Sequence, residues 1–436
     1  MNKQTGLLAN FFKFEEHKTT LGTEINAGIT TFMTMAYILA VNPGILSAAG
    51  MDPGAVFTAT ALASFIAIMI MALYANLPFA LAPGMGLNAF FAFTVVIVMG
   101  YTWELALAAV FIEGLIFILL SFFKVREAII DSIPMDIKRA ISVGIGLFIA
   151  FIGLTNAGVV VTGDGVPLAL GSLGEPTVLV ALIGILITGV LLAYKVKGAI
   201  LIGIMASTLI GIPFGITVFP GNIFSMPPSL APTFMKMDFS GILSWDFAVI
   251  MFTFLMIDMF DTVGTLVGVS TKAGMLDEQG RVPNAKQALL ADAIGTSIGA
   301  VLGTSTVTTY VESASGVNEG GRTGMTALTT GLLFLLALFF APLFLMIPGA
   351  ATAPALIVVG AMMMSPVLEI DFSDMSNAIP SFLTIAMMPL AYSISEGIAF
   401  GMVSFVLIKL LSGKAREIPI LSYVVAAVFV LAKLFL

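Results

Sequence analysis

Apolar residues in this chain come in long blocks and do not alternate with polar ones. Near-continuous apolar runs cover 26–46, 55–75, 79–99, 103–123, 137–155, 176–194 and 198–215. After a proline-rich stretch at 216–244 they resume at 246–270, 286–303, 304–318, 324–345, 350–365, 376–393 and 396–412. A helix needs about 20 apolar residues to cross a bilayer core of about 30 Å. The pattern predicts an all-α polytopic membrane protein of about fourteen segments. A last apolar run, 421–436, follows Pro419 and is short for a span, so crossing and lying at the interface both stay open.

Two of the blocks are interrupted, and they predict the site. In the third, Pro78-Phe-Ala-Leu-Ala-Pro83-Gly84-Met-Gly86-Leu-Asn88 sets a proline and two glycines inside a span. Pro83 removes a backbone donor, and the glycines weaken helix. In the tenth, Thr304 to Glu312 is rich in β-branched residues. Each reads as a short extended piece followed by a half-helix. Extended backbone at membrane depth survives only where protein or a watery cavity satisfies it. Two half-helix N-termini then offer free N–H groups to a ligand.

The interrupted blocks sit at matching places in two halves. Ser47-Ala-Ala-Gly-Met51 echoes Thr271-Lys-Ala-Gly-Met275, and Tyr194 to Gly203 resembles Tyr392 to Gly401 with one insertion. Seven spans per half would invert the second copy. Inverted repeats with broken helices mark secondary transporters, with substrate bound at the repeat interface.

Composition narrows the chemistry. The chain is 59% hydrophobic and 10% charged, against about 25% charged in soluble domains. Its net charge of −7 therefore says little about partners. Cysteine is absent, and the single histidine, His17, precedes the first span. Disulfides, thiolate metal sites and a histidine relay in the membrane are excluded. An enzyme would have only hydroxyls and carboxylates to work with. Residues 1–24 are polar and read as no cleavable signal, and no separate soluble domain is expected. Lys3, Lys13, Lys18, Lys124, Arg126, Lys138, Arg139, Lys195, Lys197, Lys272, Arg281, Lys286, Arg322, Lys409, Lys414 and Arg416 fall on one side of the predicted topology, with Lys236 opposite. The positive-inside rule makes that side, and the N-terminus, cytoplasmic.

Acids inside such blocks need a reason, because a charge at the bilayer centre costs roughly 2.5–3.5 kcal/mol on insertion scales. Asp261 and Thr265 are four apart and share a helix face. With Glu312 they are expected to wall one polar site. Asp258, one turn before Asp261, also fits a helix cap or a cytoplasm-facing acid. Glu312 could instead cap its half-helix or pair with Arg322. Glu113 and Asp292 read as structural partners of hydroxyls or of broken-helix backbone, and Glu396 as a loop residue. The Gly316–Gly324 stretch has no phosphate-loop lysine in place, and no metal-spaced cluster occurs. Two carboxylates and two half-helix ends suit a neutral planar heterocycle with adjacent N–H groups. One carboxylate can accept two such bonds, each worth roughly 1.5–3 kcal/mol when charge-assisted. The other can carry a proton.

Four stretches in order carry a resemblance: Gly28 to Pro43, Ala82-Pro-Gly-Met-Gly-Leu-Asn-Ala89, Phe260-Asp-Thr-Val-Gly-Thr265 and Thr308-Thr-Tyr-Val-Glu-Ser313. Over nearly its whole length the chain resembles the AzgA-like purine permeases of the nucleobase–cation symporter-2 family. The resemblance implies fourteen segments as a seven-plus-seven inverted repeat, with short strands in segments three and ten. It implies a cytoplasmic N-terminus at 1–25, a core domain of 26–123 and 246–345, a gate domain of 137–215 and 350–412, and a tail at 413–436. The family's acids fall on Asp261 and Glu312, for substrate binding and proton coupling. Its backbone contacts fall near Leu87 and Val311, flanked by Gly86 and Ser313. Uracil-transporting relatives carry a histidine where this chain has Thr265, so that relay does not transfer. The expected partners are a purine nucleobase (hypoxanthine, guanine or adenine), a proton and the lipid bilayer. No cofactor, metal or nucleic acid is expected, and a homodimer stays open. Sodium coupling, a xanthine/uracil permease and an anion permease of the related sulfate-carrier type are the alternatives. Acids at the site weigh against the anion reading.

Overall fold

The computed structural model describes residues 6–122, 134–163, 165–272, 274–276 and 282–435. Lys3, Lys124, Arg126, Asp164 and Arg281 lie outside the described residues. Among those described, eight helices are long and apolar enough to cross a membrane, from Leu21–Ser47 to Ile394–Leu411. Three shorter apolar helices, Met85–Val98, Ala199–Gly211 and Met375–Leu390, join them. The protein is a mostly helical multi-pass membrane protein.

Helix ends fall where the sequence supplies a cap. Asp52 accepts from the Ala55 N–H at 2.7 Å and Pro53 opens the helix Pro53–Ile70, a position where a missing N–H costs nothing. That helix runs on through a π turn, Met71–Ala75, and stops at Asn76, which is left-handed. Thr20, Thr323, Asp374 and Ser393 cap the helices that follow them in the same way. Trp245–Lys272 is one unbroken helix and carries Asp258 and Asp261. Gly303, at φ +98, closes Ala285–Leu302 and turns the chain into the tenth block.

The strands of the interrupted blocks are three residues each. β1, Leu81–Pro83, pairs antiparallel with β4, Val307–Thr309, in the register Leu81 with Thr309 and Pro83 with Val307. Both are fully buried. Beyond β1 the chain forms a helical turn, Met85–Ala89, which widens into a π-helix over Phe90–Val98. Beyond β4 the half-helix is six residues, Ser313–Asn318.

Two expectations need correction. A β-hairpin, β2 (Val160–Gly163) with β3 (Val166–Leu170), stands where no strand was predicted. Gly165, at φ +76, supplies the turn, and Val160-Val161-Thr162 has strand-forming side chains. Glu396 is also not in a loop: it lies in the first turn of Ile394–Leu411, its N–H on Ser393 Oγ. The run after Pro419 forms the helix Ile420–Phe435, which buries Ser422, Val425, Ala426 and Phe429 along one face.

Basic residues at one end are tied down by acids. Lys409 is almost fully buried and pairs with Glu417 at 2.5 Å and Asp374 at 3.6 Å. Lys414 reaches Asp374 at 2.7 Å. The Lys414 ammonium, then the Ser376 hydroxyl and N–H, hold the Asp374 carboxyl well below the usual carboxylate range.

Candidate functional site

The site grows out of the β1–β4 pair. Two three-residue strands would leave many polar groups unpaired in a membrane, and side chains supply the rest. Thr296 donates to the Val307 carbonyl at 2.9 Å and accepts from its N–H at 3.2 Å. Gly84 N–H donates to the Thr306 carbonyl at 3.0 Å, and Tyr310 N–H to the Ala80 carbonyl at 2.9 Å. Ser313 Oγ accepts from Ala80 N–H at 3.0 Å, and the Tyr310 hydroxyl donates to the Pro83 carbonyl at 2.6 Å. Ser305 Oγ donates to Asn88 Oδ1 across the two interrupted blocks. Ser313, a candidate ligand contact by resemblance, thus also pins the two halves together.

Asp261 stands at the end of this pair. A Cβ added to Gly84 would lie 3.7 Å from Asp261 Oδ2, 3.1 Å from Leu87 Cδ1 and 2.6 Å from Thr308 Cγ2. Glycine at position 84 therefore lets the strand, the carboxylate and Thr308 share one spot. Thr262, beside Asp261, bonds the Thr308 hydroxyl at 2.6 Å and fixes the helix to β4. Glu312 approaches from the other strand. Its Oε1 accepts the Tyr37 hydroxyl at 2.6 Å. Asp261 and Glu312 are within electrostatic range of each other and of both Tyr37 and Tyr310. Arg322 donates instead to the Val317 and Gly321 carbonyls, and no side-chain cap bond forms at Glu312.

The remaining candidates divide. Asp261, Thr265 and Glu312 are half-buried, and Val311, next to Glu312, is 52% exposed. Leu87 is fully buried. A Cβ on Gly86 would stand 2.7 Å from Ile145 Cγ2, so Gly86 is where the first interrupted block meets the helix Met135–Asn156. Two cavities open elsewhere, one apolar between Phe32, Leu201 and Phe344, one under the β2–β3 hairpin beside Phe151 and Tyr392. Neither is lined by the acids.

Tyr37, Thr308 and Tyr310 belong to the site without having been named as site residues, and Glu24 organises a neighbouring helix end unforeseen. Glu24 is fully buried, and its carboxylate accepts from Arg322 N–H, Thr323 N–H and the Thr326 hydroxyl (2.9, 3.3 and 2.6 Å). It caps the helix Gly324–Ala337 from another helix altogether. A tyrosine inside an apolar block, five residues before Asn42, was the available signal for Tyr37, since a buried hydroxyl needs a partner.

A many-helix membrane fold with two broken helices meeting over paired acids defines a permease. The model of the Permease family matches residues 22–400, and the chain belongs to that family. A putative permease of Methanocaldococcus jannaschii is 52% identical over 98% of both chains. An adenine permease of Escherichia coli K12 is 44% identical over 99% of this chain and 97% of its own. A guanine/hypoxanthine permease of Bacillus subtilis is 45% identical over 98% of this chain and 100% of its own. Among solved structures, the transmembrane domain of a cyanobacterium bicarbonate transporter superposes with a TM-score of 0.67. It is 16% identical and covers 86% of this chain and 97% of its own, a likeness of fold alone. The protein is a transporter rather than an enzyme.

Proposed function

We propose that the protein takes up purine nucleobases (hypoxanthine, guanine or adenine) across the cytoplasmic membrane by proton symport. The observation that carries this reading is the pair of acids, Asp261 and Glu312, at the end of the β1–β4 pair. A purine presents a flat edge of N–H donors, and a half-buried carboxylate backed by a tyrosine accepts them. The names of the adenine and guanine/hypoxanthine permeases support the same substrate class. In this reading Glu312 recognises the base and Asp261 carries the proton. Thr265, Gly86, Leu87, Val311 and Ser313 complete the substrate's surroundings.

The architecture that goes with it is fourteen segments in a seven-plus-seven inverted repeat, with the N-terminus cytoplasmic. The core domain, 26–123 and 246–345, carries the site. The gate domain, 137–215 and 350–412, rocks against it. The approach of Gly86 to Ile145 belongs to the core–gate boundary of this scheme.

The test is uptake of radiolabelled hypoxanthine into proteoliposomes, with adenine, guanine, xanthine and uracil as competitors and each ion gradient imposed separately. Accumulation driven by an inward proton gradient, competed by purines, is expected. Accumulation driven by sodium at symmetric pH, or by bicarbonate exchange, would overturn the proposal.

A further inference from the structure

Behind the substrate site lies a second group of acids on three different helices. Glu113 comes from Trp103–Phe122, Asp258 from Trp245–Lys272 and Asp292 from Ala285–Leu302. All three are completely buried. Asp292 has a hydroxyl partner, since its Oδ1 accepts the Thr262 hydroxyl at 2.8 Å. Glu113 and Asp258 differ. Their carboxyls stand within hydrogen-bonding reach of each other. Yet none of their four oxygens receives a hydrogen bond from a hydroxyl, an amide or the backbone.

That combination has one physical resolution. Two ionised carboxylates are acceptors only, so side by side and out of water they repel and leave every lone pair empty. Removing a charge from water costs several kcal/mol per ion even after relaxation. One proton between them changes both facts: the acid donates to the carboxylate, and one charge disappears. The groups that could oppose this are absent. The titratable neighbours in electrostatic range are Asp292 and Asp261, both acids, and among the described residues no lysine, arginine or histidine joins them. A metal ion is a poorer occupant, because no trio of acidic or histidine side chains among the described residues has the spacing to hold one.

We propose that Glu113 and Asp258 form a second proton-binding site, a carboxyl–carboxylate pair that shares one proton and lies behind the substrate site. Asp258 is one helical turn from Asp261, so the two acids lie on one face of the same helix. Asp292 ties the pair to the site from the other side, through Thr262 and its bond to Thr308 of β4. A shift of β4 on substrate binding is thereby felt at the buried acids. The role of this pair in coupling rests on the proton-symport reading; its protonation does not.

The experiment is infrared spectroscopy of the purified full-length protein in lipid at neutral pH, following the carboxylic-acid C=O band. The wild type is expected to show the band. Glu113→Gln and Asp258→Asn are each expected to remove the same component, while Glu113→Asp keeps a shifted one. Absence of any such band in the wild type overturns the proposal whether or not the variants fold. A band unchanged in both folded amide variants overturns it too. In proteoliposomes, Glu113→Gln is expected to lower proton-driven accumulation at least tenfold. A wild type that ignores the proton gradient yet keeps the band would defeat the symport reading and leave the buried pair standing.

Discussion

Replacing Glu312 by glutamine changes one atom, and the neighbouring tyrosine decides which way the change points. The Tyr37 hydroxyl donates to Oε1 of Glu312 at 2.6 Å. In Glu312→Gln only the amide oxygen can accept that hydroxyl, so the amide turns its oxygen to Tyr37 and its NH2 outward. The purine edge then meets a donor where it needs an acceptor. A charge-assisted bond is lost and a donor is left facing donors, together about 2–4 kcal/mol, or roughly 30- to 1,000-fold in Kd. Adding Tyr37→Phe removes the hydroxyl that holds the amide, which can then rotate. The double variant is expected to bind about tenfold more tightly than Glu312→Gln alone, a rescue that simple damage to the site would not give. Equilibrium binding of labelled hypoxanthine, guanine and adenine to protein in detergent measures all of these. Glu312→Gln within threefold of wild type, or a double variant no better than the single one, refutes the assignment.

The remaining expectations are quickly tested. Gly84→Ala drives a methyl into Thr308 and should lower thermal stability by about 1–3 kcal/mol while weakening purine binding. Gly44→Ala, with nothing within 4 Å of the added carbon, should do neither. Asp261→Asn should abolish proton-driven accumulation and retain some substrate exchange between the two sides; full accumulation would dismiss Asp261 as the coupling acid. Reporters at Lys414 and near Asp164 should appear on opposite sides of the membrane, and a shared side would end the inverted-repeat scheme. Asp374 is held low in the folded protein, so its stabilisation is complete above the ordinary carboxylate value and fades only as acid protonates it. The difference in melting temperature between wild type and Asp374→Asn should be constant from about pH 8 to about pH 5 and shrink below about pH 4; a difference that shrinks already near pH 6 would contradict the ion pair.

The sequence was most legible where a single physical rule dominated. Apolar run length located the eight long apolar helices among the described residues, and Pro83 with Gly84 marked the broken helix because both residues oppose helix for steric reasons. The acids of the site stood out because their neighbours are so apolar. Partnerships across the chain were not legible. Nothing local to Tyr37 says that its hydroxyl meets Glu312, and nothing local to Glu24 says that it caps a helix beginning at Gly324. Glu113 and Asp292 looked alike in sequence, each a lone acid in an apolar block. The structure separates them by their partners, hydroxyls for Asp292 and another acid for Glu113. The β2–β3 hairpin was missed because its two short strands fall in the interval 156–175, left as a connection between two predicted spans.

The β1–β4 pair also sets a timetable for biogenesis. Leu81 finds its partner in Thr309, more than two hundred positions further on. At roughly 5–20 residues per second of synthesis, β1 waits about 10 to 50 s before β4 leaves the ribosome. During that interval its backbone amides must be sheltered by the helices already inserted, or by the insertion machinery itself, because lipid offers them nothing. The β1–β4 pair therefore forms only after most of the chain has been made, and a chain released before β4 emerges keeps an unpaired extended segment in the bilayer. Quality control in the membrane has a simple mark to read: an extended segment with no strand beside it.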